Sequence, residues 1–397
     1  MDDGPPTVIV GAGPTGATLA LLLARQGRRV VLLDRETSFD RVFRGEGLMP
    51  SGVAALRSLA LGARLDPVPQ RIIDDVHYFV DRDPLMSFEE PDRGSPDAIR
   101  VLSQPHLLAA IVDAARAHPG FTFRPGVAVR DVTVDDGRPT VVTTDGEAIR
   151  AALVVGADGR TSLVRAKSGL TLDRTREESP LNHDALWCAV PLPDWLAERT
   201  GFYAFLGRGE VGTMYPTATG ELRVGWLFPR SRYDEVRRAR PHPLDEVARL
   251  APPHLADWLR GQDRAAAEPA LFKVMLGLAP RWWRPGVLLL GDAAHPMNAI
   301  RAQGINLGLR DAIAAARHLG PALATADPAA LDAACAAVQA ARVQEIDRAQ
   351  ALQLRIAALP AVLHQRWFRR WVFRPLVALG IPQRVQVRIE RVLRDGL

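Results

Sequence analysis

Residues 7–16 read TVIVGAGPTG, and the fold class of the chain is inferred first from this segment. It joins a run of β-branched residues, which predicts a buried strand, to a glycine pattern of the form G-x-G-x-x-G. An alanine- and leucine-rich segment that predicts a helix follows to residue 26. Residues 29–33, RVVLL, then predict a second apolar strand, which closes on Asp34. Strand, glycine turn, helix and strand form a βαβ unit, and such apolar strands belong to a parallel sheet covered on both faces.

The three glycines of this pattern have separate tasks in a dinucleotide-binding turn. Gly11 permits the tight turn, Gly13 lets the backbone approach a pyrophosphate, and Gly16 lets the helix pack closely on the strand. The N–H groups at the start of the following helix are placed to bind phosphate. Asp34, at the end of the second strand, is placed to accept hydrogen bonds from ribose hydroxyls. The pattern therefore predicts a dinucleotide site.

Two later stretches repeat the arrangement of buried strand, glycine turn and helix. Residues 154–165 read VVGADGRTSLVR, and residues 288–295 read LLLGDAAH, completed by QGIN at 303–306. Each stretch delivers an aspartate, Asp158 or Asp292, into its turn. A carboxylate in that place suits a chain of sugar hydroxyls, because it accepts hydrogen bonds from them.

The composition is that of an ordinary globular chain. At ~100–200 residues per domain, the 397 residues predict two or three domains. Two cysteines, Cys188 and Cys335, are too few for a disulfide framework and indicate a reducing compartment. The net charge is +5, but 48 of the 50 basic residues are arginines interleaved with acids, the lysines being Lys167 and Lys273. Basic residues interleaved with acids do not form a phosphate-binding patch, so we expect no nucleic-acid partner. We also expect no metal site.

The beginning of the chain gives an expectation about its location. Its first residues, MDDGPP, are acidic and unlike the basic start of a signal peptide. The longest early apolar stretch, residues 17–24, is far short of the ~20 residues that cross a bilayer. We expect a soluble, cytoplasmic protein.

Antiparallel segments interrupt the βαβ pattern. Residues 71–90 predict a half-exposed strand and residues 184–228 an antiparallel meander, before a buried strand returns at 287–290. From Gly304 a helical pattern continues, with predicted breaks at Pro321, Pro328, Pro360, Pro375 and Pro382. The fold class is therefore α/β: a Rossmann-like nucleotide-binding domain with an inserted antiparallel β-sheet substrate domain and a C-terminal helical segment. The expected boundaries are 1–70, 98–182 and 270–325 for the nucleotide-binding domain, 71–97 and 183–269 for the inserted domain, and 326–397 for the helical region.

With the three motifs in this order and spacing, the sequence resembles the flavin-dependent aromatic hydroxylases, class A monooxygenases of the para-hydroxybenzoate hydroxylase type. The resemblance covers nearly the whole chain to about residue 320. It implies FAD and NAD(P)H as cofactors and a small lipophilic or aromatic molecule as substrate. It also implies the reaction, in which a flavin hydroperoxide formed from O₂ hydroxylates or epoxidises an electron-rich carbon.

The resemblance assigns roles to residues of the motifs. The first glycine turn and Asp34 hold the ADP half of FAD, Asp292 holds the ribityl and pyrophosphate linker, and residues 304–306 meet the pyrimidine edge of the flavin. RVFRGE at 41–46 matches the family's arginine loop, which places Arg44 against the cofactor diphosphate. Asp158 looks like the motif linked to both FAD and NAD(P)H. The expected cofactor contacts are Gly11, Ala12, Gly13, Gly16, Asp34, Arg35, Arg44, Gln104, Val129, Asp158, Gly159, Gly291, Asp292, Gly304, Ile305 and Asn306.

The chain also departs from the family pattern. Four residues past His295 the family usually has proline, where this chain has Ala299. The glycine pair that commonly follows is replaced by Arg301-Ala302, and Gln104 stands where the family often has arginine. Arg301 is therefore a candidate to reach the substrate, whereas we interpret His295 as structural.

The expected function is that of an FAD-dependent monooxygenase acting on an apolar, aromatic or polyketide-like molecule, because few charges lie on the predicted strands of the inserted sheet. The catalytic residues are unknown, and the pocket candidates are Tyr203, Tyr215, Arg223 and Arg301. Two alternatives stay open: a flavin-dependent reductase or dehydrogenase of a lipophilic substrate, and a non-catalytic flavin-binding protein. The tail residues RWFRRW at 366–371 could contact a membrane, but we favour packing against the protein's own core.

Overall fold

The computed structural model describes residues 4–40, 45–90, 98–179, 181–325, 327–381 and 384. The strands are β1 Thr7–Val10, β2 Val30–Asp34, β3 Gly47–Leu48, β4 Gln70–Ile72, β5 Asp75–Val80, β6 Asp83–Glu89, β7 Arg100–Leu102, β8 Phe121–Pro125, β9 Val129–Asp135, β10 Arg138–Thr143, β11 Ala148–Arg150, β12 Leu153–Gly156, β13 His183–Pro191, β14 Gly201–Leu206, β15 Val211–Pro216, β16 Glu221–Pro229, β17 Ala270–Phe272, β18 Trp283–Arg284 and β19 Val287–Leu289. The helices are α1 Pro14–Arg25, α2 Pro50–Ser58, α3 Gln104–Arg116, α4 Leu163–Lys167, α5 Tyr233–Ala239, α6 Pro243–Leu250, α7 Pro253–Arg260, α8 Gln303–Thr325, α9 Pro328–Leu363, α10 Arg366–Phe368 and α11 Arg374–Ala378.

A six-stranded sheet carries the glycine motifs. Its strand order is β18-β19-β12-β1-β2-β8, and every pair is parallel except the antiparallel edge pair β18–β19. All residues of β1, β12 and β19 are buried, as expected for parallel strands covered on both faces. The three glycine turns follow these three adjacent strands, so they meet at one edge of the sheet.

A seven-stranded sheet faces this domain. Its order is β17-β13-β16-β15-β14-β5-β6, antiparallel except where β5 pairs with β14 in parallel. It takes strands from both segments that the sequence assigns to the inserted domain, and also β17, which begins at residue 270, the first residue assigned to the last nucleotide-binding segment. The architecture confirms the predicted fold class, and the domain boundaries stay a prediction.

The C-terminal part is helical, with fewer breaks than its prolines predict. Helix α8 continues through Pro321, and α9 through Pro360, so the breaks predicted at these two positions are wrong. The buried face around Leu319 and Leu323 keeps α8 packed, and this packing outweighs the one backbone hydrogen bond that Pro321 cannot make. Pro328 does mark a break, since it opens α9. Among the described residues, the model contains no helix with the length and hydropathy needed to cross a membrane.

A buried charge cluster joins the turn after β19 to α8 and α9. Asp311 accepts a hydrogen bond from Arg342 Nε at 2.8 Å and lies 2.5 Å from His295 Nε2. It also accepts the Gly291 N–H at 3.2 Å. Glu345 pairs with both Arg342 and Arg310. Burial by itself raises the pKa of Asp311, but His295 and Arg342 outweigh it and lower the pKa to about 2.

We expect Asp311→Asn to lower the free energy of unfolding by about 3–5 kcal/mol, because it removes the buried charge that pairs with both the Arg342 guanidinium and His295 and leaves Glu345 as the remaining carboxylate on Arg342. The folded-state pKa of about 2 lies below the ordinary value of ~3.9. The stabilisation is therefore complete above that ordinary value and lost as the pH falls toward 2. Thermal unfolding between pH 7 and pH 2 measures this effect.

The matched control is Asp113→Asn, in an exposed pair with Arg116. It should change the free energy of unfolding by less than ~0.5 kcal/mol. Equal losses in the two variants would show that the cluster around Asp311 contributes nothing special.

Candidate active site

The first glycine turn is shaped by contacts that a side chain would block. Gly11 has a φ of +102°, and a Cβ built there would collide with the carbonyl of Ala157. A Cβ at Gly16 would collide with the carbonyl of Gly11. At Gly13, by contrast, a Cβ would meet no other described atom within 4 Å, which leaves the backbone there open to a ligand. These positions match the separate tasks expected for the three glycines.

The three turns are locked to one another. Thr15, in the first turn, places its hydroxyl where a side chain at Gly291 or at Gly308 would have to sit. Arg165, from the second motif, donates a hydrogen bond to the carbonyl of Ala293 in the third at 2.7 Å. The three turns therefore hold fixed positions relative to each other.

Asp34 braces the first turn. Its side chain is buried and accepts hydrogen bonds from the Ala12 N–H at 2.7 Å and the Glu36 N–H at 2.9 Å. Helix α1 begins directly after Gly13, which has no side chain to cap it, so its first N–H groups point toward the turn. A glycine turn, an uncapped helix start and a carboxylate at the next strand end together fit the ADP half of a dinucleotide.

Asp158 is used differently from the expectation. One carboxylate oxygen accepts the Ser162 hydroxyl at 2.5 Å, and the other accepts the N–H groups of Leu163 and Val164. Burial raises the pKa of this carboxyl, and these hydrogen bonds oppose the rise. Asp158 therefore caps the start of α4, and it shapes the turn that carries Gly159 rather than offering a free carboxylate.

A single cavity of about 940 Å³ runs from this turn to the seven-stranded sheet, near the upper end of the range for ligand sites. Eleven of the expected cofactor residues line it: Gly11, Gly13, Asp34, Arg35, Gln104, Val129, Asp158, Gly159, Asp292, Gly304 and Ile305. The expected residues that do not line it are Ala12, Gly16, Gly291 and Asn306. Arg44, with the rest of residues 41–44, lies outside the described residues.

The Asn306 side chain makes its hydrogen bonds within the protein, and its expected contact with the cofactor stays a prediction. Its amide accepts the Met49 N–H at 2.9 Å and donates to the carbonyls of Gly47 and Ala302. The side chain is fully buried and ties β3 to the turn before α8. It therefore holds β3 and the turn before α8 in fixed positions beside the cavity.

The far end of the cavity lies against the seven-stranded sheet and is mainly apolar. Phe202, Ala204 and Leu206 of β14 line it, so Tyr203 between them points away. Tyr203 instead stacks on His77, with 4.7 Å between ring centroids. The prediction of Tyr203 as a pocket residue is therefore wrong, because sequence alternation alone left open which strand face meets the cavity. Tyr215, on β15, does line the cavity.

A contact between a carboxylate and a guanidinium joins the nucleotide-binding domain to the seven-stranded sheet. Glu46 lies just before β3, and its Oε1 accepts a hydrogen bond from Arg223 Nη2 of β16 at 3.1 Å. Both side chains are largely buried. Arg223 also hydrogen-bonds Tyr215, its cross-strand neighbour. Burial raises the pKa of Glu46, and Arg223 opposes the rise. Glu46 Oε2 is buried and has no hydrogen-bond partner among the described residues.

Arg301 and Ala302 occupy an unusual backbone conformation. Their φ angles are +62° and +48°, in the left-handed region that favours glycine. A left-handed backbone is compatible with the glycine pair that the family resemblance implies at these two positions. Arg301 lines the cavity near Tyr78 and Glu90. Burial lowers the pKa of its guanidinium, and the two neighbours oppose this lowering. The chain therefore accepts backbone strain at a position that puts a guanidinium into the cavity wall.

Sequence reasoning missed three groups of the cavity. Glu46 lies in the arginine loop, but the sequence pattern assigns it no role. Tyr78 lies on a strand predicted only as half-exposed. Trp187, whose ring packs edge-on against Tyr215, lay in the predicted meander. The sequence offered one signal, which was the position of Glu46 two residues after Arg44. A carboxylate beside a cofactor loop is noteworthy, because charged residues are unusual in an apolar wall.

Fold and site together define the class of a dinucleotide-binding protein with a mainly apolar chamber. The profile of the FAD binding domain family matches residues 5–349, and the chain belongs to this family. It is an FAD-dependent monooxygenase of the aromatic-hydroxylase group, with FAD and NAD(P)H as its cofactors.

Relatives and solved structures agree with this membership. A 6-methylpretetramide 4-monooxygenase from Streptomyces rimosus is 36% identical over 315 residues, which cover 77% of this chain and 73% of the relative. Protoasukamycin 4-monooxygenase from Streptomyces nodosus subsp. asukaensis is 27% identical over 366 residues, covering 88% and 87%. The crystal structure of p-nitrophenol 4-monooxygenase from Pseudomonas putida superposes with a TM-score of 0.75 at 23% identity, covering 99% of both chains, which shows a shared fold.

Ala302→Gly should stabilise the protein by about 0.5–1 kcal/mol, because glycine removes the left-handed strain while it adds freedom to the unfolded chain. The control is Ala341→Gly, at an exposed site inside α9, which should destabilise by about 1 kcal/mol. Differential scanning calorimetry of both variants measures the effect. The same sign for the two changes would contradict the left-handed conformation.

Proposed function

We propose that this protein inserts one oxygen atom from O₂ into a hydroxylated, apolar ring system of the aromatic or polyketide kind. The observation that carries the proposal is the cavity itself, which is continuous from the dinucleotide turns to an apolar chamber with a buried carboxylate in its wall. Bound along the turns, FAD supplies the redox chemistry, its reduction by NAD(P)H and the activation of O₂. The residues of the chain bind and orient the two molecules and exclude water.

The proposed cofactor contacts are made mainly by backbone. Gly11, Gly13 and the start of α1 would bind the diphosphate through N–H groups, and Asp34 would hold the turn and the ribose. Asp292, which faces the cavity, would accept hydrogen bonds from the ribityl chain. Gly304 and Ile305, at the start of α8, would lie along the flavin ring, where helix N–H groups favour negative charge.

Glu46 is the proposed anchor for a substrate hydroxyl. Arg223 fixes its Oε1, the residue lines the apolar chamber, and its second oxygen has no donor among the described residues. A buried acceptor of this kind is costly unless a ligand supplies the donor. A phenolic O–H fits as this donor. Its proton can move to Glu46 Oε2 as the ring carbon is attacked, and the loss of this proton raises the electron density of the ring. Arg223 then stabilises the negative charge on the phenolic oxygen.

Arg301 is proposed to meet a second oxygen of the substrate. It lines the same cavity beside Tyr78, in a wall otherwise formed by residues such as Ile300 and Leu85. A guanidinium there suits a carbonyl or enolate oxygen, since charge-assisted hydrogen bonds are strong in a partly dry site. Oxygens at separate positions on an extended apolar skeleton are the pattern of a polyketide-like molecule.

Asp292→Ala should reduce the FAD content of the purified protein, because ribityl hydroxyls would lose a charged acceptor at about 1–3 kcal/mol, a factor of roughly ten or more in affinity. The absorbance ratio of flavin to protein and a titration of apoprotein with FAD measure this. Asp113→Ala, on the exposed surface of α3, is the control. Full FAD content in Asp292→Ala, or release of FMN in place of FAD, would contradict the proposed cofactor contacts.

The test of the function is a screen of hydroxylated polycyclic aromatic compounds for stimulated NAD(P)H oxidation, with mass analysis of the product for one added oxygen atom. We expect the oxidation to require O₂. Glu46→Gln should lower kcat for phenolic substrates by about 10²-fold or more, the range for a lost general base. The loss should shrink for phenols acidic enough to be ionised already. Glu147→Gln, in an exposed pair with Arg124, is the control.

Each other outcome rejects part of the proposal. NAD(P)H oxidation that proceeds without O₂ and reduces the compound would identify a reductase. No stimulated oxidation by any compound, with FAD bound, would favour a binding protein. An unchanged kcat in Glu46→Gln would remove Glu46 from the substrate site and leave the monooxygenase reaction standing.

A further inference from the structure

The C-terminal helical segment, residues 366–379, has two unlike faces. Its inner face packs Phe368 and Phe373 against a cluster that contains Val80 and Leu206. Its outer face carries Trp367, Trp371 and Leu379, which are 61%, 71% and 64% exposed. Within the stripe at 366–371, Phe368 and Arg369 pack against the protein as expected, whereas the two tryptophans do not. Large apolar side chains gathered on an exposed face usually mark a contact surface.

The charge of this part of the chain has a single sign. Residues 351–384 contain six arginines and no aspartate or glutamate. Arg370 and Arg374 are exposed on the same segment as the tryptophans. The Arg370 guanidinium lies 5.3 Å from the centre of the Trp371 ring. Exposed tryptophan interleaved with arginine is the composition of helices that lie in the interface of an anionic bilayer.

An ion pair made by Arg369 and a contact made by His364 attach the segment to the protein. Arg369 Nη1 and His364 Nδ1 each lie 2.9 Å from a carboxylate oxygen of Asp81, in the turn between β5 and β6. Arg369 also donates to the carbonyl of Val80. These contacts attach the segment to the seven-stranded sheet, so its tryptophan face is held toward the outside.

We propose that the face formed by Trp367, Trp371, Leu379, Arg370 and Arg374 docks on an anionic lipid surface. The tryptophans would enter the interface, and the arginines would pair with lipid phosphates while their stems cover apolar area. Leu363 and Phe373, on the inner side of the same region, line the cavity. Docking therefore places the wall of the apolar chamber beside the lipid, and a lipophilic ligand dissolved there has a short path to it.

The proposal is tested with the full-length, FAD-loaded protein and vesicles of phosphatidylcholine alone or mixed with phosphatidylglycerol. Cosedimentation should show binding to the mixed vesicles that weakens as salt is raised, and little binding to phosphatidylcholine. Trp367→Ser with Trp371→Ser should lower the partition coefficient at least tenfold. Trp195→Ser is the matched control, since Trp195 is 47% exposed elsewhere on the surface. Flavin absorbance confirms that each variant is folded.

A second pair of changes keeps the test decisive if the tryptophan variant does not fold. Arg370→Gln with Arg374→Gln should abolish the preference for phosphatidylglycerol and the dependence on salt. Failure of the wild-type protein to bind mixed vesicles overturns the proposal, as does an equal loss in Trp195→Ser. Sedimentation velocity gives the other decisive result: a wild-type dimer that becomes a monomer in the tryptophan variant would show that this face binds a second copy of the chain.

Discussion

The close approach of three backbone turns is the constraint on which the rest of the structure depends. Gly11 lies against Ala157, Gly16 lies against Gly11, and the Thr15 hydroxyl occupies the space beside Gly291. None of these contacts leaves room for a larger residue, so the three turns are one rigid unit. The Asp311 cluster holds this unit from behind through His295 and the Gly291 N–H. A cavity that must bind both a long cofactor and a substrate needs such a fixed edge, because small displacements change every distance across it.

The fold and the cofactor end of the cavity could be predicted from the sequence because glycine patterns report backbone geometry directly. The positive φ of Gly11 and the close contacts at Gly16 follow from local sterics. Such sterics favour glycine, so the residue type indicates the backbone geometry. The same logic could not assign the side chains of Asp158 and Asn306. Both carry polar groups suited to a ligand, yet both bind backbone N–H groups of the chain itself. Competition between a ligand and the local backbone is decided by tertiary placement, which a pattern does not contain.

The substrate end was the less predictable part for a different physical reason. Alternation along β14 makes Phe202 and Tyr203 equally good candidates until the face that meets the cavity is known. The pair of Glu46 and Arg223 joins residues that are far apart in sequence, and each alone resembles an ordinary surface charge. Arg301 was the exception, because it stands where the family resemblance implies glycine. A departure from a glycine position is informative since it must be compatible with a left-handed backbone.

The pairing of the nucleotide-binding sheet also has a consequence for the order in which the chain folds. Val8 pairs with Val154, and Val154 pairs with Val287, so neighbouring strands of one sheet are made at widely separated times during synthesis. The parallel pair of β5 and β14 repeats this on the other sheet. Until residue 289 has left the ribosome, β12 has an open edge, and chains with such edges are prone to wrong pairing. High contact order makes this fold slow to form, and a nascent chain of this kind depends on protection from aggregation until its last strands arrive.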